Sequence, residues 1–401
     1  MIITQIFNFV NTKNIRKYLT RFKKYDRINS NNVLCLVLRK GTTAKIIIQT
    51  HFFHISPYPD RGRKRTGLPS FIYFQENNMD IKKIILEKLA VSGDKYISGA
   101  ELARTIEVSR NAVWKAVKSL ENDGFSIESV TSKGYRLSEN NNKLSEEIIK
   151  CFGESERNII VLDEIDSTNN YAKKLASQGA ENGTAVIADR QTAGKGRMGR
   201  NFVSPSGCGV YISIITRPKF SMETVSLITS AIAVATANAV ENLCDEPVKI
   251  KWVNDLYMNN KKICGILTEA SMGLEMRSLD YAVIGIGINV RKNHEFDEEL
   301  KKRAASIEEC TGKKIDRNRL CAEILKQAEI CLENIESREY IKEYSRRELL
   351  TGNRITAMQG NTKIEGFAEG IDKNACLIVR LDNGSVIHLS SGEANKCRIS
   401  D

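Results

Sequence analysis

Residues Gln191-Thr-Ala-Gly194-Lys195-Gly196-Arg197-Met198-Gly199-Arg200 bring three glycines and three cations into one short loop. Lacking a Cβ, glycine lets backbone N–H groups turn inward and approach a ligand, while lysine and arginine add charge-assisted hydrogen bonds. The chemistry this implies is anion binding, of a phosphate above all. The same letters match G-x-G-x-x-G, but that dinucleotide fingerprint opens a helix, and Pro205, Gly207 and Gly209 follow here. No Gly-Lys-Ser/Thr closes the loop as a Walker-type phosphate site requires. The competing reading is a solvated basic turn.

Four other segments carry unusual residues. Asp166-Ser167-Thr168-Asn169-Asn170 follows a strand and caps a helix. Capping needs one such side chain, so a run of them suits a polar head group. In Lys249-Ile-Lys251-Trp252-Val253-Asn254-Asp255, a lysine in a half-buried strand beside tryptophan points to an anionic ligand. An amide and a carboxylate then stand at the strand end. Gly285-Ile-Gly287-Ile-Asn289 ends a buried strand with glycines, where a flat ligand can press on backbone. Lys262-Ile-Cys-Gly265-Ile-Leu-Thr-Glu269 reads as core strand with no site of its own.

The elements needed to position these segments alternate in type between 144 and 350. Strands are expected at 158–162, 185–188, 210–215, 248–252, 264–269 and 282–288, with long helices at 165–178, 222–243 and 316–349. This is α+β with a mixed sheet. From 351 to 401, short strands at 354–358, 363–371, 375–380 and 386–389, with a hairpin turn at Asp382-Asn383-Gly384, fit an SH3-like β-barrel. Ahead of the central part, 79–143 reads as a winged helix-turn-helix. Ile81, Ile84, Ile85 and Leu89 form one helical face, Ser98 and Glu101 a capping box, and Ser109 the cap of a third helix. Two strands, 125–130 and 135–137, then flank the tip Thr131-Ser132-Lys133-Gly134. The third helix would enter the major groove with Ser109, Arg110, Asn111, Trp114 and Lys115 at its exposed N-terminal side, and Lys133 on the wing. The unit is only +2, so its DNA affinity is modest unless two copies act together, and protein contact is the competing use. Residues 140–143 read as a linker.

The net charge of +11 resides in residues 1–78, with 14 Lys+Arg against 3 Asp+Glu, while the remainder is neutral. This acid-poor segment, including the 61–65 basic run and a strand-like 44–49, admits three readings: an upstream extension from a misassigned start, a nucleic-acid-binding tail, or a transit peptide. The first is favoured because strong patterning begins at Met79. The ten cysteines contain no C-x-x-C pair and read as reduced core thiols of a cytoplasmic protein. The weakly polar run at 227–240 falls short of a membrane span and reads as a buried helix.

Taken together, Ser167-Thr-Asn169, the Gly-Lys-Gly-Arg-Met-Gly-Arg loop, Lys251-Trp-Val-Asn-Asp255 and Gly285-Ile-Gly-Ile-Asn289 resemble, in that order, the bacterial bifunctional biotin–protein ligases and biotin-operon repressors. The resemblance runs from Met79 to the C-terminus and implies three domains: winged helix (79–143), catalytic (144–350) and SH3-like (351–401). It implies activation of biotin by ATP to biotinyl-5′-adenylate, then transfer to a lysine of a biotin carboxyl carrier protein or another acceptor domain. By carry-over, Ser167, Thr168, Asn169, Gln191, Lys195, Gly196, Arg197 and Lys251 bind biotin. Lys251 and Arg197 carry the catalytic charge, and Gly194, Gly199, Arg200, Asn254 and Asn289 face phosphate or adenylate. Mg²⁺ comes with ATP rather than to a dedicated metal site, and 271–280 folds over the adenine. The adenylate-bound homodimer is expected to bind operator DNA. Lys195, Met198, Phe202 and Val253 depart from the commonest family pattern. A lipoate ligase, a sensor without catalysis and a ligase without DNA binding are the alternatives.

Overall fold

The computed structural model describes residues 32–34, 50–52, 81–154, 156–217, 222–272, 279–360 and 362–396. The chain divides into two units, Met1–Phe74 and Gln75–Asp401. In the first, β1 (Asn32–Leu34) pairs antiparallel with β2 (Thr50–Phe52). The rest of the basic extension 1–78, with its expected strand at 44–49, lies outside the described residues, as do Met79 and most of 271–280.

The second unit opens with α1 (Ile81–Ser92), α2 (Gly99–Ile106) and α3 (Arg110–Asn122). Ser98 Oγ accepts from Glu101 N–H and Ser109 Oγ from Ala112 N–H, so both serines cap their helices, while the capping box expected at Ser98 and Glu101 forms only its serine half. Ile85, Leu89, Leu102, Ile106, Val113, Val117 and Leu120 close the core of this three-helix unit. The wing is β3 (Ile127–Val130) paired with β4 (Gly134–Leu137). Gly134 is required there: its φ is +109° and a Cβ would meet Ile97 O at 2.1 Å.

The expected linker is hydrogen-bonded to the central part, with Asn141 buried and Asn142 and Lys143 half-buried. Arg317 donates to Asn142 Oδ1 at 2.8 Å and Gly209 O at 2.8 Å, and pairs with Asp189 at 2.7 Å. Asn318 accepts from Ser145 N–H and donates to Lys143 O. The next helix, α4 (Glu146–Gly153), divides its apolar residues, with Ile148 in the winged-helix core and Ile149 in the central core.

The central sheet has seven strands in the order β5-β6-β7-β11-β10-β9-β8. They are β5 (Ile159–Ile165), β6 (Ala185–Gln191), β7 (Gly209–Thr216), β8 (Lys249–Lys251), β9 (Asp255–Met258), β10 (Lys261–Met272) and β11 (Leu279–Asn289). Only β5 and β6 run parallel, so the sheet is mixed. Alternation along β7, β10 and β11 sends Ile212, Ile266, Ile284 and Ile286 into a core shared with α6 (Met222–Cys244) and α9 (Arg317–Glu333). Leu227–Cys244 is apolar enough to cross a membrane, but 72% of it is buried in this core. On the opposite face lies α5 (Thr168–Ser177), whose Ala172 and Ala176 pack on Val186, Ile215 and Val283. Two short helices, α7 (Glu298–Arg303) and α8 (Ile307–Thr311), precede α9.

The long helix expected at 316–349 is broken. It ends at Glu333, makes a 3₁₀ turn at Ile335–Ser337, and resumes as α10 (Tyr340–Arg347). The break is local: Asn334 turns its side chain back onto Ile330 O and Arg338 adopts φ 57°. The C-terminal strands β12 (Arg354–Gln359), β13 (Thr362–Ile371), β14 (Leu377–Leu381), β15 (Val386–Leu389) and β16 (Glu393–Lys396) form one antiparallel sheet ordered β15-β14-β13-β12-β16. Trp252 Nε1 donates to Ala375 O at 3.0 Å and ties this sheet to the central one.

Candidate active site

A cleft of about 160 Å³ lies over the face of the sheet that carries α5. Register explains its floor. Ser213, Gly285 and Leu267 stand side by side across β7, β11 and β10, as do Tyr211, Gly287 and Gly265. Gly285 and Gly287 line the cleft, and their missing side chains also make room for protein groups packed above the floor. A Cβ at Gly285 would meet Asn169 Oδ1 at 2.3 Å, and one at Gly287 the Phe202 ring at 2.6 Å.

The packing of α5 delivers its N-terminus to this floor. Ser167 occupies the N-cap position but makes no side-chain cap bond. Gln191 Oε1 accepts the Thr168 N–H at 2.9 Å instead, leaving the Ser167 hydroxyl beside the cleft. Behind it, Ser213 lies 2.8 Å from the Thr168 hydroxyl and 2.6 Å from Asn169 Oδ1. Asn169 Nδ2 donates to Glu269 at 2.8 Å, and Lys173 pairs with the same carboxylate at 2.9 Å.

The glycine–cation loop folds as a tight hairpin, with Gly196 N–H bonded to Arg200 O and Phe202 N–H to Gly194 O. Its cations all reach protein partners: Lys195 to Asn170 at 2.9 Å, Arg197 to Asn254 at 3.0 Å, and Arg200 to both oxygens of Glu393. Lys195, Gly196, Arg197, Arg200 and Asn254 line the cleft. Gly194 and Gly199 do not. Gly194 is packed beneath Phe202 O and Ser204 Oγ, and Gly199 turns the hairpin tip at φ +73°. Asn289 also stays outside, donating to Ala305 O.

Lys251 lines the cleft with its Nζ 2.5 Å from Asn395 Oδ1. Burial lowers its ammonium below the ordinary lysine value of 10.5, against the opposing charges of Asp255 and Glu393. Sequence reasoning missed a second lysine: Lys262 also lines the cleft and pairs with Asp255 at 2.7 Å. Five cations therefore face this space against two carboxylates, Asp255 and Glu393. Glu393 and Asn395 reach the site from β16, a strand absent from the sequence reading. Lys262 could have been found from period-2 alternation, because it stands where a core strand should place an apolar residue. Ser213 carried no such signal within an otherwise apolar strand.

On the winged helix, Ser109 caps α3 while Arg110, Asn111, Trp114 and Lys115 are exposed, Trp114 by 50%. Lys133 is exposed at the wing and sits over the Tyr96 ring at 5.6 Å.

The Biotin/lipoate A/B protein ligase family matches residues 161–289, an HTH domain 83–136, and the Biotin protein ligase C terminal domain 351–396. The bifunctional ligase/repressor BirA of Bacillus subtilis is 35% identical over 316 residues, covering 76% of this chain and 95% of that relative. This chain belongs to the biotin protein ligase family. The Escherichia coli bifunctional ligase/repressor BirA is 29% identical, over 80% of this chain and 99% of its own length. Among solved biotin protein ligases, that of Aquifex aeolicus in complex with biotin and ATP superposes with a TM-score of 0.53 at 30% identity. It covers 60% of this chain and 99% of its own. Family membership and geometry meet at one place, since the cleft lies within the segment matched to the ligase family, extended by β16 of the C-terminal biotin protein ligase domain.

Proposed function

We propose that the chain is an ATP-dependent biotin–protein ligase that also represses transcription from operator DNA. The observation that carries the ligase reading is the cleft itself: a polar helix N-terminus with an apolar wall at one end, and five cations at the other. The first end suits a small uncharged ring bearing polar atoms, and the second a carboxylate meeting phosphates. Biotin and ATP supply these groups.

In the first step a biotin carboxylate oxygen attacks the ATP α-phosphorus, forming biotinyl-5′-adenylate and releasing pyrophosphate. In the second, the ε-amine of an acceptor lysine attacks the acyl carbon and AMP departs. Ser167, Thr168, Asn169 and Gln191 hold the ring. Lys195 and Gly196 close over the chain, and Arg197, Lys251 and Lys262 stabilise charge at the reacting carboxylate and phosphate. Arg200 and Asn254 attend the nucleotide, while Gly194 and Gly199 shape the loop. Catalysis is positioning plus electrostatic stabilisation. Arg197 and Arg200 already stand at the cleft, paired with Asn254 and Glu393, contacts that an incoming anion would exchange for its own oxygens.

Among the described residues, no group of three or more His, Cys, Asp or Glu is placed to hold a metal. Mg²⁺ would enter with the nucleotide's phosphates, whose charge it screens. The winged helix offers Arg110, Asn111, Trp114 and Lys115 to a major groove and Lys133 to a backbone. A homodimer formed through the central sheet would pair two such helices on a palindromic site. A cytoplasmic setting fits the eight described cysteines, all free thiols.

The test is mass spectrometry of a biotin-acceptor domain incubated with this protein, biotin, Mg²⁺ and ATP. A gain of one biotin, absent without ATP and absent with lipoate, is expected. No labelling and no enzyme-bound adenylate would overturn the reading.

A further inference from the structure

We infer that Tyr344 is a positioning residue for the adenylation step: from α10, its hydroxyl holds the backbone between Lys251 and Asn254 and so fixes where the Lys251 ammonium stands in the cleft. The inference rests on the ligase reading above and deepens it. Tyr344 does not itself line the cleft.

The need for such a residue follows from the sheet. β8 is three residues long and stands at the end of the sheet, paired with β9 alone. A short edge strand frays readily, because its outer backbone groups have no strand to bond. Lys251 is the last residue of that strand, and Lys251, Trp252 and Asn254 all line the cleft. A misplacement of about 1 Å in a group that meets developing charge can cost about a hundred-fold in rate.

The missing edge is supplied by α10 and the residues after it. Arg347 donates to Val248 O at 3.2 Å, and the Leu349 N–H to Ile250 O at 2.9 Å. Tyr344 donates to Val253 O at 3.0 Å, beyond the end of the strand and within the turn into β9. This helix is itself fixed to α6, since Arg347 pairs with Glu241 and donates to Asn238 Oδ1 at 2.9 Å. Tyr344 is 0% exposed, and burial pushes its phenol well above the ordinary 10.0, so it keeps its hydrogen for this one bond. Water cannot stand in for it.

A matched contrast lies one turn earlier. Tyr340 is also buried on α10, but its hydroxyl reaches Leu227 O at 3.3 Å and Ser230 Oγ at 3.2 Å, both on α6. Neither of those residues lines the cleft. The two tyrosines therefore share a helix and a burial, and differ in whether the bond ends on the Lys251 segment.

The test compares the full chain with Tyr344→Phe and Tyr340→Phe, by steady-state adenylate formation across a pH series and by thermal unfolding. Each variant loses one buried hydroxyl, so both should melt earlier by a similar amount. Tyr344→Phe is expected to lower kcat about ten-fold with biotin KM within about two-fold, because the ring-binding end on α5 is untouched. Its alkaline limb should also move upward, since a loosened turn admits water to Lys251 while the charged neighbours Asp255, Glu393, Lys262 and Arg200 are unchanged. Tyr340→Phe should keep the kcat, KM and limb of the unmodified chain. A protein that is merely less stable has fewer active molecules, which lowers kcat without moving the limb. Unchanged kcat in Tyr344→Phe, an unmoved limb, or equal losses in both variants would overturn the inference. Failure of the unmodified chain to form adenylate would instead overturn the functional reading beneath it.

Discussion

At the scale of single residues, the cleft separates cations that hold from cations that react. Arg197 spans the space to Asn254, so its guanidinium is presented by one loop and anchored on the turn between β8 and β9. Arg197→Ala should lower acceptor labelling by about 10²–10³, the usual cost of removing one donor to developing charge, and should release adenylate from the enzyme. Trapped-adenylate chromatography reads this directly, and near-normal labelling would remove the loop from the mechanism. Lys251 makes a different prediction. Burial already favours its neutral form, so the alkaline limb of kcat/KM should fall below the ordinary lysine value of 10.5. Lys251→Arg keeps the charge at any accessible pH and should move that limb upward, at reduced rate because the head group is wider. A limb unchanged by the substitution would assign it to another group.

At the scale of elements, glycine placement and helix capping do the positioning. Gly285 sits opposite Ser213 and beneath Asn169, in ordinary strand backbone. Gly285→Ala would drive a methyl into the buried Asn169 amide, so biotin Kd should rise at least ten-fold and the overpacking should cost about 1–3 kcal/mol of stability. Gly199→Ala meets nothing within 4 Å but strains a φ of +73°, so it should cost about 1 kcal/mol of local backbone energy and little affinity. Comparing the two by titration and thermal unfolding separates space from conformation. In the winged helix, Ser109→Ala removes the cap of α3. It should cost about 1 kcal/mol in that unit and weaken operator binding, with acceptor labelling preserved.

At the scale of the whole molecule, the winged helix is fastened to the ligase body by buried polar bonds. Arg317 is 2% exposed and ties Asn142 to Asp189 and Gly209. Burial pushes the Asp189 carboxyl up, but Arg317, with donors from Ser206 and Gly207, carries it below its ordinary 3.8. A depressed carboxyl contributes stability above the unfolded value, and that stability is lost as pH falls through the folded one. Arg317→Met strands Asp189 without its partner and should cost about 3–5 kcal/mol near neutral pH. The acid-unfolding midpoint should also move upward, measurable by circular dichroism across a pH series. An unchanged midpoint would mean that the pair is not what holds Asp189 ionised.

Local chemistry determined much of this from the chain alone. The caps at Ser98 and Ser109, the period-2 strands and the glycine–cation loop depend on neighbours a few residues away, so spacing reveals them. The resemblance of four ordered motifs pointed to the family for the same reason. Tertiary structure decided what spacing cannot carry. Register between distant strands set Ser213 beside Gly285 and brought Glu269 within reach of Asn169. Packing of the C-terminal sheet carried Glu393 and Asn395 to Arg200 and Lys251. Other long-range contacts drew Asn289 to Ala305 and bound Asn142 to Arg317. Contacts between residues a hundred positions apart leave no period in a sequence, because their energy is realised only once the intervening chain has folded.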